Sequence, residues 1–408
     1  MVSTDGSTPD RVVVGTHDAQ RGYTPWEIER ADGSAVRSGV PGDIPQQAHE
    51  FVRPGEEADA ERAVALAIGA RDLGSDALVT MNPLLLDGFP RDVVEGVNPM
   101  PPEAAVSLLG LYLRVREDFA LELQPGFRER FDRRLFYLVL MRDLTPSGWR
   151  WFSACVANYV HSSNDDLMLL AQSGMERLER ALRARDRLHE QLQLPPTTDR
   201  ATEAIFYLDV MLLMLGGAFD ATAVVAHRIH GLSAPEHAVG WGNTSWMSEL
   251  GQVNQPLVDL MTKEQPHRDA RELVAVLRNT IHSAALRRET WQAAGRDRSE
   301  RIVVPERAAK RLERVVGRLA SLEVFGLARD PRALYVEPGV YAEAVIPRAA
   351  DALNAIMDAT PVETLAGVNP GELPAGPPDD DGVFSPAIRK RVRMLGGIDR
   401  APASQGSP

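Results

Sequence analysis

Cysteine and lysine are both scarce in this chain. Cys155 is the single cysteine among 408 residues, and only three of the 45 basic side chains are lysines. One thiol cannot form an intramolecular disulfide, which excludes a disulfide-stapled scaffold and favours a reducing compartment. The first residues lack a basic segment followed by an apolar one, so no secretory signal is predicted. We therefore expect a cytoplasmic protein without disulfides.

The charge balance is acidic. The formal net charge is -12, nearly all basic residues are arginines, and alanine and valine are abundant, a bias typical of a GC-rich bacterial coding genome. An acidic total disfavours non-specific binding to nucleic acid or to an anionic membrane, although a local basic face can still serve.

Long apolar runs are also missing. The most apolar stretch, residues 204–219, is interrupted by Asp209 and by Gly216-Gly217, and a spanning helix needs about 20 mostly apolar residues. We interpret it as a buried core helix and expect no membrane association. Asp209 and Asp220 lie in apolar surroundings, so each should have a partner such as an arginine on a neighbouring helix.

Helical periodicity dominates what is present. An Asp32-Gly33 turn between short β-type segments predicts a hairpin near the N-terminus, and two short apolar segments, 301–305 and 333–336, predict a C-terminal strand pair. Between them, capping residues and apolar spacing predict helices. These are 58–70, 102–123, 126–143, 147–162, 165–192, 199–230, 245–261, 266–292, 306–322 and 339–358.

The predicted fold class is mainly α. It is a multi-helix bundle with a small N-terminal β-hairpin, a short C-terminal strand pair and a flexible tail. We divide the chain into a β or irregular segment at 1–55, helical regions at 56–195 and 196–359, and a mostly flexible Pro/Gly/Asp-rich tail at 360–408. The basic stretch at 389–393 is interpreted as a solvated charge run rather than a docking segment.

Several catalytic patterns do not occur in the sequence. A phosphate-binding P-loop, a complete G-x-G-x-x-G, a zincin H-E-x-x-H, G-x-S-x-G and C-x-x-C are all missing. The corresponding large enzyme classes are therefore disfavoured, and no cofactor is predicted. Asp220, His227 and His230 could converge on a metal ion along one helix, but a packed helix with satisfied polar groups is the preferred interpretation.

The segment around residue 280 carries the most suggestive pattern. Arg278 and His282, at positions i and i+4, flank the predicted apolar stripe on the same side, and Asn279 could orient either. Such a placement would let Arg278 stabilise a phosphate while His282 transfers a proton, as metal-independent RNA cleavage through the 2′-hydroxyl requires. The alternative is that Arg278 pairs with a carboxylate such as Asp220 and His282 is structural.

On these residues the chain resembles the HEPN superfamily of small helical bundles. Ribonuclease members carry an arginine, a polar residue and a histidine, matched here by Arg278, Asn279 and His282. Three residues separate Arg278 from His282, where the family pattern has four to six. The resemblance covers residues 199–292, and it implies a site shared across a dimer and a role as a toxin or phage-defence effector.

Two functional hypotheses remain. The first is a cytoplasmic helical protein that acts by binding a protein partner or a second copy of itself, in stress response or phage defence. The second is a HEPN-like endoribonuclease that uses Arg278 and His282 in a dimer. Residues 268–314 contain more basic than acidic side chains inside an acidic chain, which would suit an RNA-facing surface.

Overall fold

The computed structural model describes residues 11–14, 26–29, 35–39, 57–72, 75, 77–88, 97–117, 119–124, 127–130, 133–193, 198–263, 265–283, 286–291, 299–377 and 385–398. Within them the protein is mainly α, as the sequence predicts. The chain divides into two compact units, one extending to Leu109 and the other beginning at Gly110.

The first unit contains a small antiparallel sheet. Its strands, in the order β1-β2-β3, are β1 (Arg11–Val14), β2 (Trp26–Glu29) and β3 (Ala35–Gly39). The predicted hairpin is confirmed by the pairing of β2 with β3, whereas its Asp32-Gly33 turn lies outside the described residues. Helix α1 (Glu57–Asp72) follows, then a parallel pair formed by β4 (Ala77–Val79) and β5 (Asn98–Met100).

Helices form most of the second unit. Helix α2 (Pro102–Val115) crosses the division between the two units, and a hairpin of β6 (Ala120–Gln124) and β7 (Phe127–Arg130) follows it. The helices that then follow are α3 (Arg133–Leu144), α4 (Pro146–Ser162), α5 (Asp166–Gln193), α6 (Thr198–Ile229), α7 (Thr244–Val253), α8 (Gln255–Thr262) and α9 (Gln265–Ser283).

The C-terminal part combines a sheet with three further helices. Its elements are β8 (Arg287–Trp291), β9 (Ser299–Val304), α10 (Glu306–Leu319), β10 (Leu327–Arg329), β11 (Leu334–Val336), α11 (Pro338–Ala359) and α12 (Pro386–Gly396). The predicted strand pair is confirmed, because β9 pairs antiparallel with β11 and Val303 lies opposite Tyr335. Two more strands widen it into a sheet of order β10-β11-β9-β8.

The core of the second unit is built on the long helices α5 and α6. They pack along each other and bury Leu178 and Leu182 of α5 against Leu208 and Leu215 of α6. Helices α9 and α11 complete this layer, and the buried Tyr341 hydroxyl of α11 donates a 2.9 Å hydrogen bond to the carbonyl oxygen of Leu273. One hydrophobic core runs through helices α3 to α12, so the predicted division at residue 195 does not separate two cores.

Helix α6 is the one helix in the described part of the chain that is long and apolar enough to cross a membrane by length and composition alone. Most of its apolar window is buried inside the second unit. Its apolarity is therefore accounted for by packing against α5, α9 and α11.

Several predicted helices differ from the observed ones in their bounds or in their number. The helix predicted at 102–123 ends at Val115, where Glu117 adopts a positive φ of 56° before β6 begins. Strands β7 and β8 likewise replace the start of the helix predicted at 126–143 and the end of that predicted at 266–292. The helix predicted at 245–261 is two helices, because the Asn254 side chain accepts a 3.1 Å hydrogen bond from the Leu257 amide and caps α8.

The segment predicted as a flexible tail contains an ordered helix. Helix α12 packs on α3 and buries Ile388 and Val392. The buried Asp143 carboxylate of α3 accepts a 2.9 Å hydrogen bond from Arg389. The basic stretch is thus a docking segment, because its charges alternate with an apolar stripe that finds a partner. Residues 378–384 and 399–408 lie outside the described residues.

Candidate functional site

Helix α9 carries the predicted catalytic residues at its C-terminal end. Leu273, Val274 and Leu277 are buried and fix this helix against the core. Arg278 follows directly and is partly exposed, and Asn279 is exposed. His282 belongs to the same helix, but its side chain lies outside the described part of the structure.

Arg278 is held by a carboxylate of the neighbouring helix. Its Nη2 atom lies 3.3 Å from Oδ2 of Asp220 on α6, and its Nη1 atom lies 3.5 Å from Oδ1 of Asn279. This pairing is the one expected if Arg278 has a structural role and not a catalytic one. The Arg278 side chain remains 33 % exposed and that of Asp220 57 % exposed, so an approaching ligand can reach both groups.

Two adjacent glycines of α6 face arginines of the neighbouring helices. A Cβ atom at Gly216 would lie 3.4 Å from Nε of Arg278, and one at Gly217 would overlap the guanidinium of Arg177 from α5. Glycine lowers helix stability by about 1 kcal/mol relative to alanine, so two in the middle of a helix indicate a close approach. The Gly216-Gly217 pair is a notch that receives arginines from both sides.

A third arginine completes the group. Arg271, two turns before Arg278 on α9, interacts electrostatically with Asp220, and so do Arg177 and Arg278. Burial and the nearby Arg311 lower the pKa of the Arg271 guanidinium, while Glu272 and Asp220 raise it, yet an arginine stays protonated in any protein. We call Arg177, Arg271, Arg278 and Asp220 the arginine cluster.

The arginine cluster is suited to binding an anion. Three guanidinium groups from two helices surround one carboxylate, so positive charge exceeds negative charge. Guanidinium groups present planar, paired donors that match phosphate and carboxylate oxygens. The three guanidinium groups stay protonated near neutral pH, whereas burial raises the pKa of the Asp220 carboxyl against the lowering effect of the three arginines.

The fold does not bring the three candidate metal ligands together. Nδ1 of the buried His227 accepts a 3.3 Å hydrogen bond from Trp246 Nε1. His230 lies just beyond the end of α6, where its Nε2 is 3.2 Å from Nδ2 of Asn254 and burial lowers its pKa. Asp220 faces Arg278 instead.

The fold therefore gives Asp220, His227 and His230 three different sets of neighbours. Across the described residues, no group of three His, Cys, Asp or Glu side chains is placed to hold a metal ion.

The second carboxylate of α6 differs from Asp220. Oδ1 of Asp209 is buried and accepts no hydrogen bond within the described residues, so the predicted arginine partner is not found. Burial raises the pKa of Asp209 to about 6. The prediction of a partner was wrong for Asp209 and confirmed for Asp220.

An apolar cleft lies among α3, α4 and α5. This cleft of about 540 Å³ is lined mainly by apolar side chains, including Leu138, Trp149 and Phe152. The Arg142 guanidinium lies 4.5 Å above the Trp149 ring. Trp151, Trp241 and Trp246 are buried in the core.

Sequence reasoning missed Arg177 and Arg271. Neither belongs to a motif, and their meeting with Arg278 depends on how α5 and α9 pack against α6. One signal was present, since the Gly216-Gly217 pair inside an apolar helix indicates that something approaches closely.

Comparison of the chain with known protein families, curated proteins and solved structures finds no match. The arginine cluster and the surfaces that surround it are the features of the fold that indicate a function.

Proposed function

We propose that this protein acts by binding a partner and carries out no reaction of its own. The observation that supports this proposal is the arginine cluster, where Arg177, Arg271 and Arg278 gather around the single carboxylate of Asp220 on a surface that a ligand can reach. Guanidinium groups held in place by packing lose little entropy on binding, which favours recognition of a negatively charged partner.

The fold suits a binding role for a second reason. The glycine notch fixes Arg177 and Arg278 before any partner arrives, and preorganised donors bind more tightly than mobile ones. A cytoplasmic binding protein of this kind would suit stress response or phage defence, and the partner would be another protein or a second copy of this chain.

The test combines a sizing column with a pull-down from the source cells. Wild type, Arg177→Gln/Arg278→Gln and the matched control Arg133→Gln/Arg180→Gln are compared, since the control removes the same charge from exposed positions of α3 and α5. We expect self-association or a recovered partner with wild type and control, and at least a tenfold loss with the cluster variant. Absence of both a partner and self-association for wild type would contradict the proposal.

A second candidate function is a metal-independent, HEPN-like endoribonuclease that works as a dimer. The observation in its favour is that Arg278 and Asn279 stand side by side on the exposed surface of α9, one turn before His282. In this mechanism Arg278 would stabilise the phosphate and His282 would move the proton of the 2′-hydroxyl.

An RNA cleavage assay in excess EDTA tests the second candidate. Wild type is compared with a folded Arg278→Ala/His282→Ala variant, and Arg133→Ala serves as the control. Cleavage by wild type and control alone is expected if the residues are catalytic. Equal cleavage by the double variant, or none by any protein, would remove the ribonuclease from consideration and leave the binding role.

A further inference from the structure

A basic groove lies between α9 and α10, beside the arginine cluster. Its volume is about 460 Å³, and a single carboxylate, that of Glu272, lines it. Six cationic side chains line the same groove, namely Arg268, Arg307, Lys310, Arg311, Arg314 and Arg318. We call this feature the basic groove. Such a density of one charge stands out in a chain whose net charge is -12.

The sequence of α10 produces this surface directly. Leu312, Val315 and Val316 are buried and attach the helix to the core. Apart from the adjacent pair 310 and 311, neighbouring cations at 307, 310, 311, 314 and 318 are spaced by three or four positions, which places all five along one side of the helix. From Arg307 to Arg318 the row extends for about 16 Å at the helical rise of about 1.5 Å per residue.

A buried carboxylate holds two of the arginines that line the groove. Asp269 of α9 is fully buried and accepts hydrogen bonds of 2.7 and 2.6 Å from Arg318 and one of 3.0 Å from Arg268. Burial alone would raise the pKa of Asp269, but the hydrogen bonds from both arginines lower it below its ordinary value. Asp269 therefore stays ionised and holds the two guanidinium groups in position.

The outer cations of the groove are not committed to such contacts. Arg311 pairs with Glu272 at 3.1 Å, and Lys310 lies 3.9 Å from Glu306 while remaining 73 % exposed. Arg307 and Arg314 are exposed and form no ion pair with any residue that the structure describes. Unpaired, solvated cations in a concave surface attract an anionic ligand with little desolvation cost.

The basic groove continues into the arginine cluster. Arg271 interacts electrostatically with Arg311 of the groove and with Asp220 of the cluster. Arg268, Arg271 and Arg278 also lie on the same helix, so α9 links the two features. The positive surface is thus longer than the groove itself.

We infer that the basic groove binds the phosphodiester backbone of a nucleic acid strand. This inference goes beyond the proposed binding function, because the basic groove would be a second binding surface beside the arginine cluster. A row of about 16 Å would contact several successive phosphates of one strand, whereas one phosphate group would need only two or three of the cations. None of the described residues that line the groove is aromatic, so we expect binding to be independent of base sequence.

Binding of a labelled single-stranded RNA of roughly a dozen nucleotides, followed by fluorescence anisotropy, tests this inference. Wild type is compared with Arg307→Gln/Lys310→Gln/Arg314→Gln. The control is Arg133→Gln/Arg180→Gln/Arg183→Gln, which removes three charges at surface positions of α3 and α5. We expect about 50-fold weaker binding by the groove variant at about 0.15 M salt, and a salt slope shallower by about 2. The control should bind within about twofold of wild type.

Circular dichroism checks that the groove variant is folded, and the smaller change Arg307→Gln/Arg314→Gln gives an independent comparison if it is not. The inference is overturned if the groove variants bind RNA as wild type does, or if wild type binds no RNA. It is also overturned if polyglutamate or anionic phospholipid vesicles compete with RNA at equal charge concentration. Self-association or protein capture that persists in those cases would leave the proposed binding function intact.

Discussion

The two carboxylates of α6, those of Asp209 and Asp220, lie in different surroundings. Asp220 lies at the surface opposite Arg278, whereas Asp209 has a buried oxygen without a hydrogen bond in the described part of the chain. An ionised carboxylate without a partner is destabilising in partly apolar surroundings, so the folded protein favours the protonated form of Asp209.

This difference predicts how stability depends on pH. Burial raises the pKa of Asp209 to about 6, above the ordinary value of an unfolded aspartate. The penalty is therefore absent below about pH 4, develops as pH rises to about 6, and is fully present above that. After allowance for its partial exposure to solvent, we expect Asp209→Asn to stabilise the protein by about 1 kcal/mol at pH 7.5 and by much less at about pH 4.

Urea unfolding at both pH values measures the effect. Asp259→Asn is the control, because the hydrogen bond from Lys263 lowers the pKa of Asp259 and its removal should not stabilise the protein. An equal gain for Asp209→Asn at both pH values would contradict the assigned cause.

The glycine notch gives a second prediction at this scale. Gly216→Ala places its Cβ at an ordinary contact distance of 3.4 Å from Arg278 Nε, so it should stabilise the protein by about 1 kcal/mol through helix propensity. Gly217→Ala must displace Arg177, so it should gain less stability and weaken binding at the arginine cluster. Thermal unfolding and the pull-down described above compare the two variants, and identical behaviour would argue against the notch.

At the scale of elements, α12 shows how a charged segment can be anchored. Its Ile388 and Val392 supply apolar contacts, and Arg389 neutralises Asp143, whose side chain is only 1 % exposed. Arg393 lies 3.8 Å from the same carboxylate and assists. The helix is thus attached to α3 by a small apolar face and by compensation of one buried charge.

Removal of that compensation should release α12. Arg389→Met leaves Asp143 with the weaker contact from Arg393, and we expect a loss of about 2 kcal/mol. Hydrogen exchange should show faster exchange in 386–396, whereas Lys390→Met, which changes an exposed side chain, should leave protection unchanged. Unaltered protection in Arg389→Met would mean that the apolar face alone holds the helix.

The elements also show what a sequence can predict. Helices at 147–162, 165–192, 199–230 and 339–358 lie within two residues of their predicted bounds, because capping residues and long apolar periodicity are local signals. Strands β7 and β8 were predicted as helix because amphipathic segments of four or five residues fit either period, and their pairing decides between them.

The candidate site follows the same rule. Arg278 was found because it belongs to a local motif, and its pairing with Asp220 was anticipated as an alternative. For the basic groove, the sequence shows only an excess of basic residues over 268–314. The groove itself forms because α9 packs against α10, and this packing is not a local signal.

At the scale of the whole molecule, an acidic chain places six cationic side chains along one groove. The net charge of -12 repels polyanions at long range, while the basic groove attracts them at short range. Added salt weakens both effects, and the Debye length of about 8 Å at physiological salt is shorter than the row of cations on α10. Selectivity for a docked strand over a merely nearby one follows from this difference in range.

The whole fold also protects its one thiol. Cys155 of α4 is fully buried, and burial raises the pKa of the thiol to about 12. We expect no reaction with a water-soluble disulfide reagent at about pH 8 in the native state and complete reaction in denaturant. Measurement of released chromophore checks this outcome, and rapid labelling of the native protein would contradict the burial of Cys155.

Because Cys155 becomes reactive only when the core around α4 opens, its labelling rate reports opening of that core. A ligand that binds only the folded chain slows labelling by the factor by which it raises the ratio of folded to open chain. The affinity of an unmodified oligonucleotide, protein or small anion can therefore be measured from the half-time of one native sulfur atom. Because the chain has one cysteine, the labelling signal comes from a single site, and ligand binding can be followed in the wild-type protein.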